Sequence, residues 1–210
     1  MKRASAAAVF GCASVLLSYP DDGFAGDVAS ARHRIVSLPA GAIRDRLAAT
    51  AGWLAGMDPM DLAAAYVDTF DLRRGISLHL THYSHGDTRE RGMALSALAG
   101  AYRDAGFSVT PGELPDFLPA LLELAAVSAA GAALLGEQRM ALDALKTALE
   151  DAHSQYSPAA AAVCDALPGP SRADRDALRR YRAEGPPSER VGLEPFAPPE
   201  VLSGGVTVRR

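Results

Sequence analysis

Three histidines stand at intervals of three in Leu78-His79-Leu80-Thr81-His82-Tyr83-Ser84-His85, and Asp87 follows two residues later. Imidazoles three apart on a helix lie about 60° apart around its axis and can share an ion. His79, His82, His85 and Asp87 are therefore a candidate ligand set, and they would make the chain a metal-dependent enzyme or a metal sensor. The third histidine drifts to about 120° from the first, and the spacing follows no established zinc pattern. The plain alternative is a helix end whose imidazoles are partly exposed or bonded to nearby backbone. A second constellation is acidic. Asp61, Asp68 and Asp71, at spacings of seven and three, form a line along one helix, with Asp71 placed to pair with Arg74. Such a line is either a solvated face whose ion pairs contribute a few tenths of a kcal/mol each, or a landing strip for a basic partner.

Other chemistry finds little support. No Gly-x-Ser-x-Gly elbow occurs, and Cys12 and Cys164 have no histidine close in sequence. Gly100 and Gly106 are isolated and follow no strand pattern, so no phosphate-cradling loop is present. Nothing in the pattern demands an enzyme or a cofactor of the chain's own.

The elements that must position these residues are helical. The chain has 210 residues, 49% hydrophobic and 22% charged, which suits one globular domain. Its net charge of −4 argues against nucleic-acid binding, which needs a basic face. Two cysteines cannot build a disulfide framework, so a reducing, cytoplasmic setting is expected. No apolar run reaches the length of a membrane span. Lys2-Arg3 and the short alanine-rich run ending at Cys12 imitate an export signal, but Val9, Cys12, Ala13, Leu16 and Leu17 instead mark one face of an amphipathic helix.

Further stripes follow. Leu47, Thr50 and Leu54 share a face with Ile43 and have Trp53 beside them; Asp58-Pro59 then looks like an N-cap and first helical residue. The next helix carries Leu62, Tyr66, Thr69 and Phe70 on one side and Met60, Ala64 and Val67 on another, so it is expected at the centre of the bundle. Asp87 and Glu90 read as a capping pair opening a helix that stops at Gly106, and Asp116 reads as the cap of the helix after it. Gly131 and Gly136 read as breaks, and Ser171 to Glu184 as a short charged helix. The expected architecture is an all-α single bundle of about seven or eight helices over 1–184, followed by an extended, Pro/Gly-rich tail over 185–210.

Several stretches share a pattern beyond composition: Leu16-Leu17-Ser18-Tyr19-Pro20-Asp21; Tyr66-Val67-Asp68-Thr69-Phe70-Asp71-Leu72-Arg73-Arg74; Gly86-Asp87-Thr88-Arg89-Glu90-Arg91-Gly92; Tyr102-Arg103-Asp104-Ala105-Gly106-Phe107; Glu113-Leu114-Pro115-Asp116-Phe117-Leu118-Pro119; and Glu194-Pro195-Phe196-Ala197-Pro198-Pro199-Glu200. In order and spacing they resemble the NarJ family, the delta subunit of respiratory nitrate reductase, within the wider group of molybdoenzyme maturation chaperones.

The resemblance implies an all-helical, cytoplasmic, non-catalytic assembly chaperone. It would bind the N-terminal region of the apo catalytic subunit of nitrate reductase and hold it while molybdenum cofactor and an iron–sulfur cluster are inserted, before membrane docking. Molybdenum cofactor delivery proteins are further partners it implies, and the family's target peptides, similar to twin-arginine signals, imply basic charge. The matches that carry over to peptide binding are Tyr66, Asp68, Phe70, Asp71, Arg73, Arg74, Leu78, Gly86, Asp87, Arg89 and Gly92; Asp61 joins them from the acidic line. His79 and His82 stand where the family's pattern has tyrosines.

Overall fold

A computed structural model describes residues 3–188. Among them are eleven α-helices and one π-helical turn: α1 (Arg3–Leu17), α2 (Phe24–Val36), α3 (Ala42–Ala55), α4 (Pro59–Val67), the π-turn (Asp68–Leu72), α5 (Thr81–His85), α6 (Arg89–Asp104), α7 (Leu118–Val127), α8 (Ala129–Glu137), α9 (Arg139–Asp151), α10 (Ser157–Ala166) and α11 (Arg172–Glu184). The all-α reading holds. The finer count exceeds seven or eight because α2, α5, α8 and α10 add to the stripes read from the sequence, and single residues, Ser128 and Gln138, rather than Gly131 and Gly136, separate α7, α8 and α9. Of the expected tail, residues 189–210 lie outside the described residues.

The core is organised around α1, whose Val9, Cys12, Ala13, Leu16 and Leu17 are all buried. Its alanines and Gly11 leave room for close neighbours, and α1 packs against α7, α2, α10 and α3. The expected central helix is therefore displaced. On α4, Leu62 and Tyr66 are buried, but Met60 is 80% exposed and Ala64 faces solvent. An apolar circumference rich in alanine is a weak demand for burial, since each methyl removes little surface from water.

Local chemistry sets the helix ends. Asp58 accepts a hydrogen bond from the Met60 N–H at 2.9 Å with Pro59 in the first turn, as the sequence suggests. Ser171 and Asp174 complete a reciprocal capping box at the start of α11. Helix α6 ends in a Schellman turn: Gly106, at φ +84°, donates to the Arg103 carbonyl, and Phe107 donates to that of Tyr102. Gly131 does not break the chain but lies inside α8, where an added Cβ would sit 2.5 Å from Leu124 Cγ. It lets α8 fold tightly back onto α7.

Two expected caps act differently. Asp87 leaves the N-cap position to Thr88 and instead pairs with Arg91, one turn along, at 3.4 Å. The residue preceding α7 is Phe117, not Asp116; the Asp116 side chain turns away from α7 altogether.

Candidate functional site

Asp116 is fully buried and gathers a polar knot. Its Oδ2 accepts the Thr81 N–H at 3.2 Å and the Thr81 hydroxyl, so it caps α5 from across the fold. His79 Nδ1 lies 3.1 Å from Oδ1, and Arg91 Nη2 lies 3.8 Å from Oδ2. Arg91 also donates from Nε to Thr81 Oγ1 at 3.3 Å. Backbone bonds close the knot: Leu80 donates to the Asp116 carbonyl and Leu118 to the Leu78 carbonyl. Burial alone would push the Asp116 carboxyl up, but the hydrogen bonds from His79 and Thr81 and the His79 charge outweigh it and hold the group below its ordinary value.

The histidines diverge around this knot. His79 precedes α5 and is engaged by Asp116, His82 meets the Tyr83 ring edge-on at 6.0 Å, and His85 Nδ1 lies 3.8 Å from Glu90 Oε2. Helical spacing fails as a guide here because α5 is only five residues long and His79 sits outside it. Among the described residues no three His, Cys, Asp or Glu side chains converge as a metal-binding group.

The other candidate residues divide. Tyr66 and Phe70 join Tyr19, Trp53 and Tyr156 in an aromatic cluster with neighbouring ring centroids 4.8–6.1 Å apart. The Tyr66 hydroxyl donates to the Leu17 carbonyl at 3.3 Å. Burial, then the nearby Tyr156, Asp71 and Glu113, pushes that hydroxyl well above the ordinary phenol range. Leu78 is core, and Gly86 is buried at φ +55° with the Pro187 carbonyl against it. Asp61, Asp68, Asp71, Arg73, Arg74, Asp87, Arg89 and Gly92 are exposed.

The acidic line is interrupted. The π-turn widens the helix after Val67, and Arg73 is already extended, so Asp68 pairs with Arg73 at 3.0 Å while Arg74 lies beyond the helix. Arg73 also donates from Nη1 to the Ala152 carbonyl at 3.4 Å, tying the turn to the end of α9.

Two clefts open beside α1 and meet at Ala126 and Val127. The larger, about 740 Å³, runs between Ala6, Ala7 and Phe10 of α1, the α7–α8 joint and Leu167. Its walls are mostly alanine. The second, about 490 Å³, lies between Ser14 and Val15 of α1, the α7 residues Glu123, Leu124 and Val127, and the 107–113 loop that follows α6. Apolar Phe107, Val109 and Val127 border it, Glu113 and Glu123 supply carboxylates, Tyr102 lines it, and Arg34 lies at the Gly11 end. Ser14 donates to the Pro119 carbonyl at 2.9 Å and approaches Glu123 Oε1 at 3.3 Å.

The profile of the nitrate reductase delta subunit family matches residues 38–162. The chain belongs to that family. It aligns with the nitrate reductase-like protein NarX of Mycobacterium tuberculosis (strain H37Rv) at 42% identity over 158 residues, 74% of this chain and 24% of NarX. The probable nitrate reductase molybdenum cofactor assembly chaperone NarJ of Bacillus subtilis is 35% identical over 119 residues, 57% of this chain and 65% of that protein. The nitrate reductase molybdenum cofactor assembly chaperone NarJ of Escherichia coli K12 is 37% identical over 106 residues, 50% of this chain and 45% of that one. The chain thus spans about a quarter of NarX and under two thirds of either NarJ.

Within this family member, residue-level reading missed the cleft. Glu123, Val15 and Val127 carry no motif, but Tyr102, Phe107 and Glu113 fall in two of the stretches that carry the family pattern. Those stretches were the available signal. Among the described residues no helix is long and apolar enough to cross a membrane.

Proposed function

We propose that this chain is a cytoplasmic, non-catalytic assembly chaperone for a molybdenum nitrate reductase. It binds the N-terminal region of the apo catalytic subunit and holds that subunit while molybdenum cofactor and an iron–sulfur cluster are inserted, before membrane docking. Cofactor delivery proteins are its further partners, and the cofactor itself is cargo for the catalytic subunit. The observation that carries the reading is the apolar, acid-flanked cleft between α1, α7 and the 107–113 loop. The relatives named NarJ, described as molybdenum cofactor assembly chaperones, support it.

Buried area sets only the gross gain. A peptide helix that buries about 400 Å² of apolar surface gains about 10 kcal/mol gross at 25 cal/mol per Å². Ordering and association costs remove much of this, leaving reversible binding, which a chaperone that must release its client requires. Charge on Glu113 and Glu123, with Asp71 near Tyr66, speeds encounter with a basic peptide and fixes its direction.

The test is calorimetric titration with a peptide of about 20 residues from the N-terminus of the cognate catalytic subunit, a length that forms a groove-binding helix. Saturable one-to-one binding is expected. Val127→Asp, at a rim position 69% exposed, should leave the melting temperature unchanged and weaken binding about tenfold or more. A peptide that does not bind, or binds Val127→Asp as well as wild type, removes the cleft as the peptide site.

A further inference from the structure

One residue lining the acid-flanked cleft carries a buried polar group that is unbonded among the described residues. Tyr102 is 3% exposed and lines the cleft, and its hydroxyl has no hydrogen-bond partner among the described residues. A buried hydroxyl left in this way costs free energy, so a fold retains it against stability. Its charged surroundings are one-sided. Glu123, then Glu113 and Asp116, are the carboxylates whose field reaches it. Asp116 is already engaged by Thr81 and His79. Glu113 and Glu123 form no ion pair among the described residues; the one hydrogen bond to Glu123 is that of Ser14 at 3.3 Å. The cationic side chain lining the same cleft, Arg34, lies at the Gly11 end, about one turn of α1 away from Ser14.

We propose that Glu113, Glu123 and the Tyr102 hydroxyl form a seat for a single guanidinium group of the bound peptide. This rests on the peptide-binding reading above and adds to it the side chain that sets position along the cleft. A guanidinium fits because its planar fork presents five donors, enough to serve two carboxylates and a phenol oxygen together. An ammonium offers three donors in a compact cone and serves such a set less completely. Phe107, 42% exposed, lines the same cleft, and an aromatic ring there suits a cation. Arg34, at the other end, repels a cation and accepts an acidic group, so the charge pattern of the cleft defines which way the peptide runs.

The seat makes opposite demands on stability and binding, and this separates it from a merely structural tyrosine. Tyr102→Phe should leave the melting temperature of the full chain unchanged or raised, because it removes a hydroxyl that has no bond among the described residues. The same variant should weaken the N-terminal peptide of about 20 residues about threefold to tenfold, and Glu113→Gln and Glu123→Gln about tenfold each. Replacing the peptide's arginines one at a time by citrulline, nearly the same shape without charge, should identify one position. Against that analogue the three variants should bind no worse than wild type.

Two results overturn the seat alone: variants that bind the arginine peptide as wild type does while Val127→Asp abolishes binding, or losses that persist in full against every citrulline analogue. A Tyr102→Phe chain that melts lower assigns the hydroxyl to the fold and also overturns it. Wild-type protein that fails to bind the arginine peptide at all overturns the peptide reading, and the seat with it.

Discussion

Replacing Asp116 with alanine tests whether the polar knot fixes the fold around α5. The side chain is fully buried, and its removal leaves the Thr81 N–H, the Thr81 hydroxyl and His79 Nδ1 without their acceptor, with Arg91 3.8 Å from the vacated carboxylate. Each hydrogen bond to a charged group contributes about 1.5–3 kcal/mol, but the bonds share one carboxylate and do not add. Breaking a buried charged cluster by removing one member costs about 3–5 kcal/mol, about a fifth or more of the about 5–15 kcal/mol that stabilises a typical domain. Asp116→Asn keeps one acceptor oxygen and loses the charge, so about 1–3 kcal/mol is expected. Urea unfolding reads both values from the shift in midpoint at constant m.

The pH dependence of the same difference has a definite sign. The folded carboxyl titrates below its ordinary value, so its stabilisation is complete above about pH 4 and is lost as pH falls through the lower folded value. The gap between wild type and Asp116→Asn should therefore narrow as pH falls below about pH 4. An Asp116→Ala chain that loses less than about 1 kcal/mol, or a gap that widens as pH falls below about pH 4, refutes the reasoning.

Three further outcomes follow from other contacts. Arg139 meets Asp143 in a two-pronged pair at 2.9 and 3.0 Å, each side chain 11% exposed, and donates to the Cys164 and Pro168 carbonyls at 3.0 and 2.7 Å. Arg139→Met alone should cost about 3–5 kcal/mol in urea unfolding, and the double variant Arg139→Met/Asp143→Leu markedly less, because it leaves no buried charge unpaired. At Gly86, φ +55° disfavours a side chain and an added Cβ would lie 1.8 Å from the Pro187 carbonyl; Gly86→Ala should displace residues 185–188 and speed their cleavage by protease under native conditions. Burial, with Asp143 adding to it, pushes the Cys164 thiol up to about 12, so alkylation by iodoacetamide at pH 8 should be slow until the protein unfolds. Cys164 then makes folding less favourable as pH climbs above the ordinary thiol range, since the unfolded thiol ionises first.

The sequence made the core of α1 legible because Val9, Cys12, Ala13, Leu16 and Leu17 obey helical periodicity and burial of one face requires nothing else. Caps whose acceptor lies two or three residues away, such as Asp58 and Ser171, were equally legible. Asp116 was not, since its acceptor role is to Thr81, thirty-five residues earlier, and local spacing carries no information about a contact made through the fold. The expected Asp71–Arg74 pair was misread for a related reason: a π-turn at 68–72 shifts every later side chain around the axis, so Asp71 and Arg74 lose the register that a regular helix would give them.

The candidate site separates along the same boundary. A family pattern marks positions under constraint without saying which constraint acts. The structure divides the matches into core residues (Tyr66, Phe70, Leu78), a buried glycine under the 185–188 strand of chain (Gly86) and surface charges (Asp68, Asp71, Arg73, Arg74, Asp87, Arg89). What no spacing rule reveals is a group that is buried and unpaired. The Tyr102 hydroxyl is one of them, and because its side chain lines the cleft it shares with Glu113 and Glu123, its lack of a partner among the described residues argues for one in the bound peptide.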